Sequence, residues 1–272
     1  MWPGEAGSTG ALDKACAPER VLLPIFHRIS PMLLSSISAV IIDLDGTMVD
    51  TMGDFEVALN HTLSDLGLPP VERVLIERTV GKGSEHLVRS VLTHQLALPE
   101  VVSSGCVALT WPQAQMIELA LERYQHHYSF TNGQYAEVYP GVAEGLQGLR
   151  AAGFVLACLT NKPLSFARAL LEIKGLDGHF EHVFGGDSFD RKKPDPLPLI
   201  KTCEALGTAP TQTLMVGDSQ NDALAARAAG CPVALVTYGY NHGEPIAQAP
   251  HDLLVDSLDE IASALQVQFK AA

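Results

Sequence analysis

The sequence predicts an α/β protein with a doubly wound parallel sheet and a helical segment inserted after the first strand. Three observations predict it. Apolar runs of strand length, Val40–Ile42, Phe154–Leu159 and Thr213–Val216, each lead into polar residues able to do chemistry. Helical periodicities alternate with these runs, as crossover helices alternate with parallel strands. From Thr51 to about Gln134 the spacing is helical, with few strand signals.

The first run is β-branched and apolar, reading as a strand buried on both faces. It ends in Asp43-Leu44-Asp45-Gly46-Thr47. Open α/β sheets bind ligands at the C-terminal ends of their strands. Two carboxylates converging there repel each other unless a cation or a shared proton neutralises them. Mg²⁺, a hard ion that prefers oxygen ligands, meets that need. The plainer reading is a solvated turn or a helix N-cap.

In the inserted segment, Phe55, Ala58, Leu59, Thr62, Leu63 and Leu66 recur at helical spacing. Leu87, Val91 and Leu92 do the same, as do Met116, Leu119, Ala120 and Arg123-Tyr124. Gly67-Leu68-Pro69-Pro70 and Ala97-Leu98-Pro99 break the helices. Gly81-Lys82-Gly83-Ser84 sits at a helix start, where N–H groups and Lys82 suit an anionic part of a substrate. It reads equally as a helix–helix turn with an exposed lysine. His126 and His127 lack ligand-like companions and read as helix surface.

Tyr139-Pro140-Gly141-Val142 opens a helix to about Arg150, Gly153 ends it, and the second strand follows. Thr160-Asn161-Lys162-Pro163 comes next. A hydroxyl, an amide and free helix-start N–H groups make a phosphate cradle, or an ordinary loop. A helix spans Leu164 to Leu171, and Phe180–Gly186 gives a short strand and turn. In Arg191-Lys192-Lys193-Pro194-Asp195-Pro196, Lys193 is either aimed at an anion or part of a solvated basic turn. A helix follows from Leu197 to Leu206. The third run ends in Gly217-Asp218, with Asp222 about one helical turn on and on the same face. Asp222 either holds Lys193 or favours the helix dipole. Ala223 to Ala229 forms a small-residue helix, Gly230-Cys231-Pro232 stops it, and Val233–Val236 is the next strand.

In this order, Asp43-x-Asp45-x-Thr47, Thr160, Lys193 and Gly217-Asp218-x-x-x-Asp222 resemble the four signature motifs of the haloacid dehalogenase-like (HAD) hydrolase superfamily. The resemblance covers the chain from about Ser38 onward. It implies a Rossmann-like core, residues 38–50 and 136–272, and a helical (C1) cap, residues 51–135, hinged near Met48–Met52 and Tyr135–Gly141. It implies that Asp43 is the nucleophile, Asp45 the acid then base, and Thr160 and Asn161 phosphoryl binders, with Lys193 stabilising the charge. Mg²⁺ is implied on Asp43, Asp218 and the Asp45 backbone carbonyl, with Asp222 orienting Lys193 or a metal-bound water. The presence of Asp45 implies a phosphate ester, because halide departure needs no proton. Thr160–Pro163, Gly185-Gly186-Asp187, Lys192-Lys193-Pro194, Val216–Asp222 and Thr237–Asn241 are similar to the family of bacterial phosphoglycolate phosphatases. That implies hydrolysis of 2-phosphoglycolate to glycolate and phosphate. Another small ester or pyrophosphate, a phosphomutase reaction, and a non-catalytic binding role are the alternatives.

The composition agrees with an enzyme acting on a small phosphorylated substrate. With 18 Lys and Arg against 31 Asp and Glu, the formal charge is −13. That argues against binding nucleic acid or an acidic membrane surface. No apolar stretch reaches the roughly 20 residues of a membrane span. Cys16, Cys106, Cys158, Cys203 and Cys231 are scattered, with no C-x-x-C pair; they read as reduced thiols of a cytoplasmic protein. A monomer or homodimer is expected. Residues 1–37 match no part of the pattern. They read as a flexible native extension, with Arg20–Phe26 packing weakly on the surface, or as sequence upstream of a start at Met32.

Overall fold

β1 (Ala39–Ile42) is fully buried along its length. A strand with no polar face must be covered on both sides, and it is. In the computed structural model, which describes residues 36–105 and 112–269, β1 lies inside a six-stranded parallel sheet of order β5-β4-β1-β6-β7-β8. The other strands of the sheet are β4 (Val155–Leu159), β5 (His182–Phe184), β6 (Thr213–Gly217), β7 (Val233–Val236) and β8 (Leu253–Val255). The reading of residues 1–35, with Cys16 and Arg20–Phe26, falls outside the described residues, as does Cys106.

The alternation of side chains along the strands builds two cores. Val40, Ile42, Leu156 and Cys158 face α6 (Val142–Ala151), α7 (Leu164–Ile173) and α10 (Leu258–Phe269). Ile41, Ala157, Leu159 and Met215 face α8 (Leu197–Leu206) and α9 (Gln220–Ala229). The chain runs from β1 outward to β4 and β5, then crosses to β6, β7 and β8. This reversal at β1 opens a crevice at the strand ends. Register aligns those ends: Ile42 pairs with Cys158 on one side and with Val216 on the other. Asp43, Thr160 and Asp218 therefore emerge within one or two residues of the same level.

The inserted segment forms α1 (Met52–Asp65), α2 (Arg73–Thr79), α3 (Ser84–Leu96), α4 (Pro99–Ser104) and α5 (Gln113–Thr131). These helices share a core of their own, in which Phe55, Leu59, Leu63, Leu92, Met116 and Tyr124 meet. Most positions at helical spacing are buried as expected; Leu119 is half-buried and Arg123 is exposed. A two-stranded antiparallel sheet, β2 (Val49–Asp50) with β3 (Glu137–Val138), frames the insert where it leaves and rejoins the main sheet. The sequence reading assigned no strand there, because two-residue strands carry no periodicity. It also left β8 and α10 unassigned.

α6 and α10 pack closely because Gly145 leaves room. A Cβ there would stand 2.7 Å from the Leu258 carbonyl carbon and 2.8 Å from the Asp259 nitrogen. Gly145→Ala is therefore expected to destabilise the fold by about 1–3 kcal/mol. The overpacking outweighs the roughly 1 kcal/mol that alanine adds in helix propensity. The urea midpoint measures it; an unchanged or higher midpoint would refute this packing account. No helix among the described residues is long and apolar enough to cross a membrane.

Candidate active site

Two strand ends and one helix start supply three carboxylates. Asp43 follows β1, and its N–H donates to the Val216 carbonyl at 2.9 Å, fixing it beside the end of β6. Asp218 follows β6, and Asp222 lies in the first turn of α9. Oxygens of Asp43, Asp218 and Asp222 lie within 4.8 Å of one another, all buried. Gly46, at φ +83°, permits this approach: a Cβ there would sit 2.2 Å from Asp218 Oδ2.

The partners of each carboxylate differ. Asp218 accepts from Thr47 Oγ1 at 2.9 Å and from the Tyr240 N–H at 2.6 Å. Asp222 Oδ1 accepts from Lys193 Nζ at 2.7 Å, and Oδ2 accepts from Ser219 Oγ at 2.7 Å and from the Ser219 N–H at 3.2 Å. Its oxygens are thus engaged within the protein. Lys193 Nζ also donates to the Leu159 carbonyl at 2.8 Å and stands 2.9 Å from Asp43 Oδ1. Apart from that ion pair, Asp43 Oδ1 has no hydrogen-bond partner among the described residues.

Three buried carboxylates face one ammonium, and the electrostatics show the imbalance. Burial, reinforced by the charge of Asp222, pushes the Asp43 carboxyl up to about 7, although Lys193 pulls it down. Burial, then Asp222 and Asp43, raise Asp218 well above the carboxylate range. Burial works against the Lys193 ammonium, but Asp222 and Asp43 more than offset it and hold the group charged. Oxygen-only donors, surplus negative charge and an unpartnered oxygen suit a hard divalent cation.

Asp45 turns to the opposite wall. Its Oδ1 accepts from Lys162 Nζ at 2.9 Å. Lys162 is buried, donates to the Tyr128 hydroxyl at 2.5 Å, and lies 4.9 and 4.7 Å from the Phe55 and Tyr128 ring centres. These groups line a cavity between the strand ends and the inserted helices, with Thr160, Asn161, Tyr124, Gly81 and Gly83 also on its wall. The sequence reading passed over Lys162. Its available signal was a cation inside the strand-to-helix segment already read as a phosphate cradle.

The structure brings Asp43, Asp45, Thr160, Asn161, Lys193, Asp218 and Asp222 together. Asn161 holds the site in place through its side chain: Nδ2 donates to the Gly81 and Lys193 carbonyls at 2.9 and 2.8 Å, and Oδ1 accepts from the Lys193 N–H at 3.0 Å. This leaves its backbone N–H, which donates to no acceptor among the described residues. Lys82 is exposed and does not line the cavity. Tyr240 was not singled out as a site residue. Beyond its bond to Asp218, its hydroxyl donates to Asp50 and accepts from the Thr51 and Met52 N–H groups at 2.9 and 3.2 Å, tying the acidic cluster to the start of α1.

Residues 40–236 match the family model of haloacid dehalogenase-like hydrolases. The chain belongs to this family. Among HAD relatives, a plasmid-borne phosphoglycolate phosphatase of Cupriavidus necator is 44% identical over 230 residues, 84% of this chain and 93% of its own. The phosphoglycolate phosphatase of Nitrosospira multiformis is 42% identical, covering 85% of this chain and 96% of its own. A solved structure described as a predicted phosphoglycolate phosphatase from Haemophilus somnus superposes with a TM-score of 0.78 at 32% identity, over 84% of this chain and 97% of that one. The HAD match ends before Tyr240, so the bond that closes on Asp218 comes from outside the matched range.

Proposed function

We propose that this hydrolase is an Mg²⁺-dependent phosphomonoesterase that converts 2-phosphoglycolate to glycolate and phosphate through an aspartyl-phosphate on Asp43. The observation that carries it is the meeting of Asp43, with its unpartnered oxygen, and the buried Lys193 ammonium beneath a cavity with Asp45 on its wall. The substrate comes from the relatives, several of which are named phosphoglycolate phosphatases. Asp43 attacks phosphorus. The ester bond breaks, and Asp45 gives its proton to the departing glycolate oxygen. Asp45 then takes a proton from water, which attacks the aspartyl-phosphate and releases phosphate and free Asp43. The Thr160 hydroxyl and the Asn161 N–H bind the phosphoryl oxygens, and Lys193 offsets their charge. Asp43, Asp218 and the Asp45 backbone carbonyl hold Mg²⁺, with Asp222 orienting Lys193. When bound, the ion supplies charge neutralisation that lets an anionic substrate approach an acidic site.

The helical insert, residues 51–135, acts as a cap that excludes water, hinged where β2 and β3 pair. A cytoplasmic setting fits the scattered cysteines, which form no C-x-x-C pair. The working unit is a monomer or homodimer.

Phosphate release from 2-phosphoglycolate with Mg²⁺, against sugar phosphates and pyrophosphate, tests the substrate. A kcat/KM at least about tenfold above the panel is expected; a better rate on another ester would refute it.

The pH dependence of metal binding is a separate prediction. Burial pushes the Asp43 carboxyl from its ordinary 3.8 up to about 7 in the metal-free fold. Between these values the folded chain holds a proton that the unfolded chain has lost, so this carboxyl's contribution to stability falls as pH rises through the window. For Asp43 to act as a ligand, that proton would have to leave. The thermal stabilisation by Mg²⁺ is therefore expected to grow from about pH 6 to about pH 8, read by calorimetry. A pH-independent shift would remove Asp43 from the ligand set.

A further inference from the structure

Resting on the phosphoglycolate reading, we propose that Lys162, Tyr124 and the N-terminus of α3 form a subsite for a substrate carboxylate, one carbon from the ester oxygen. Four observations meet at one end of the cavity. Lys162 Nζ spends two of its three donors, on Asp45 and on the Tyr128 hydroxyl. The third remains. The one carboxylate partner of Lys162 among the described residues is Asp45, at 2.9 Å, so the remaining donor is open to an anion on the substrate.

Tyr124 supplies the second donor. Its side chain is 1% exposed and lines the cavity, yet its hydroxyl has no hydrogen-bond partner among the described residues. A buried hydroxyl without a partner is costly unless a ligand engages it. Burial, then the charges of Asp45 and Asp54, hold the phenol well above its ordinary pKa, so it stays a donor.

The third group is the start of α3. Gly83 is its N-cap and offers no side-chain cap, so first-turn N–H groups remain open. Gly81, Gly83 and Ser84 line the same cavity. The turn is fixed over the site because the Gly81 carbonyl accepts from Asn161 Nδ2 at 2.9 Å and from Asn221 Nδ2 at 3.2 Å.

The fourth is distance. Lys162 touches Asp45, the proposed proton donor to the ester oxygen, so its ammonium stands one small group away from that oxygen. An O–CH₂–COO⁻ unit spans that gap, with the remaining wall apolar at Phe55, Val80 and Leu87. A neutral, hydroxylated leaving group offers that remaining donor no charge-assisted partner. The cation of this subsite is thus Lys162 and not the exposed Lys82.

The test compares kcat/KM for 2-phosphoglycolate with that for ethylene glycol monophosphate, its uncharged counterpart. Wild type, Tyr124→Phe, Lys162→Met and Lys82→Met are measured. The ratio of the two values is expected to fall about tenfold in Tyr124→Phe and about a hundredfold in Lys162→Met, mainly through KM for 2-phosphoglycolate. It should stay within about twofold of wild type in Lys82→Met. Should Lys162→Met fail to fold, Tyr124→Phe, which loses only an oxygen, decides alone. Equal losses on both esters, or a ratio that falls in Lys82→Met and holds in Tyr124→Phe, would overturn the subsite while leaving phosphoglycolate as the substrate. A wild-type enzyme preferring the uncharged ester would instead overturn the substrate reading, and the subsite with it.

Discussion

Replacing Asp43 with Asn is expected to abolish phosphate release and, in the absence of Mg²⁺, to make the protein more stable. The loss of rate should be on the order of 10⁴-fold or more, because an amide cannot form the covalent intermediate and the remaining groups act as a unit with the nucleophile. The gain in stability has the same origin as the catalytic power. Asp43 is almost buried, shares its surroundings with Asp218 and Asp222, and holds its proton up to about pH 7. Above that value the fold maintains a carboxylate that burial and its neighbours oppose; Asn keeps the shape and removes the charge. The difference in melting temperature should be clear at about pH 8 and shrink towards about pH 5, where the wild-type carboxyl is itself protonated. Phosphate release and melting curves at both pH values check this. A variant within about tenfold of the wild-type rate would exclude Asp43 as nucleophile.

Lys193→Met is expected to damage both folding and catalysis. The ammonium is 3% exposed and serves Asp43, Asp222 and the Leu159 carbonyl at once. Its removal leaves three buried carboxylates with no cation among them, a defect of about 3–5 kcal/mol for breaking a buried ion pair. Activity should fall about 10²–10³-fold from lost charge stabilisation. The two effects separate in a double variant. Lys193→Met with Asp222→Asn removes one orphaned charge, so urea unfolding should recover part of the lost stability. Phosphate release should stay low, because nothing replaces the cation beside Asp43. Additive stability losses would show that Lys193 and Asp222 are not coupled.

The positions of the candidate site's acids are legible in the sequence where the pattern is local. Asp43 and Asp45 adjoin a run so apolar that only a buried strand accommodates it, and Asp218 repeats that arrangement at the end of β6. Thr160 follows from the same strand-end logic, and Lys193 from its place in a proline-stiffened segment and from the order of the motifs. Lys82 shows the limit: two glycines and a lysine at a helix start are compatible with an anion site, but its side chain is exposed outside the cavity. β8 and α10 were unassigned because a three-residue strand has too few side chains to display a pattern, and α10 is defined by its packing on α6.

The sequence by itself determined the parallel sheet, the helical character of the insert and the positions of the acids. Burial on both faces of a strand forces a continuous apolar run, and a helix face forces a period of 3.6 residues; both are written locally. Only the tertiary structure decided which charges meet. Lys162 reaches Asp45 across 117 residues, Lys193 reaches Asp222 across 29, and Tyr240 closes on Asp218 across 22. Their partners are set by the strand order and by the docking of the insert against the sheet. A side chain's charge is legible in its residue type, but its compensation in a low-dielectric interior depends on neighbours supplied by distant parts of the chain.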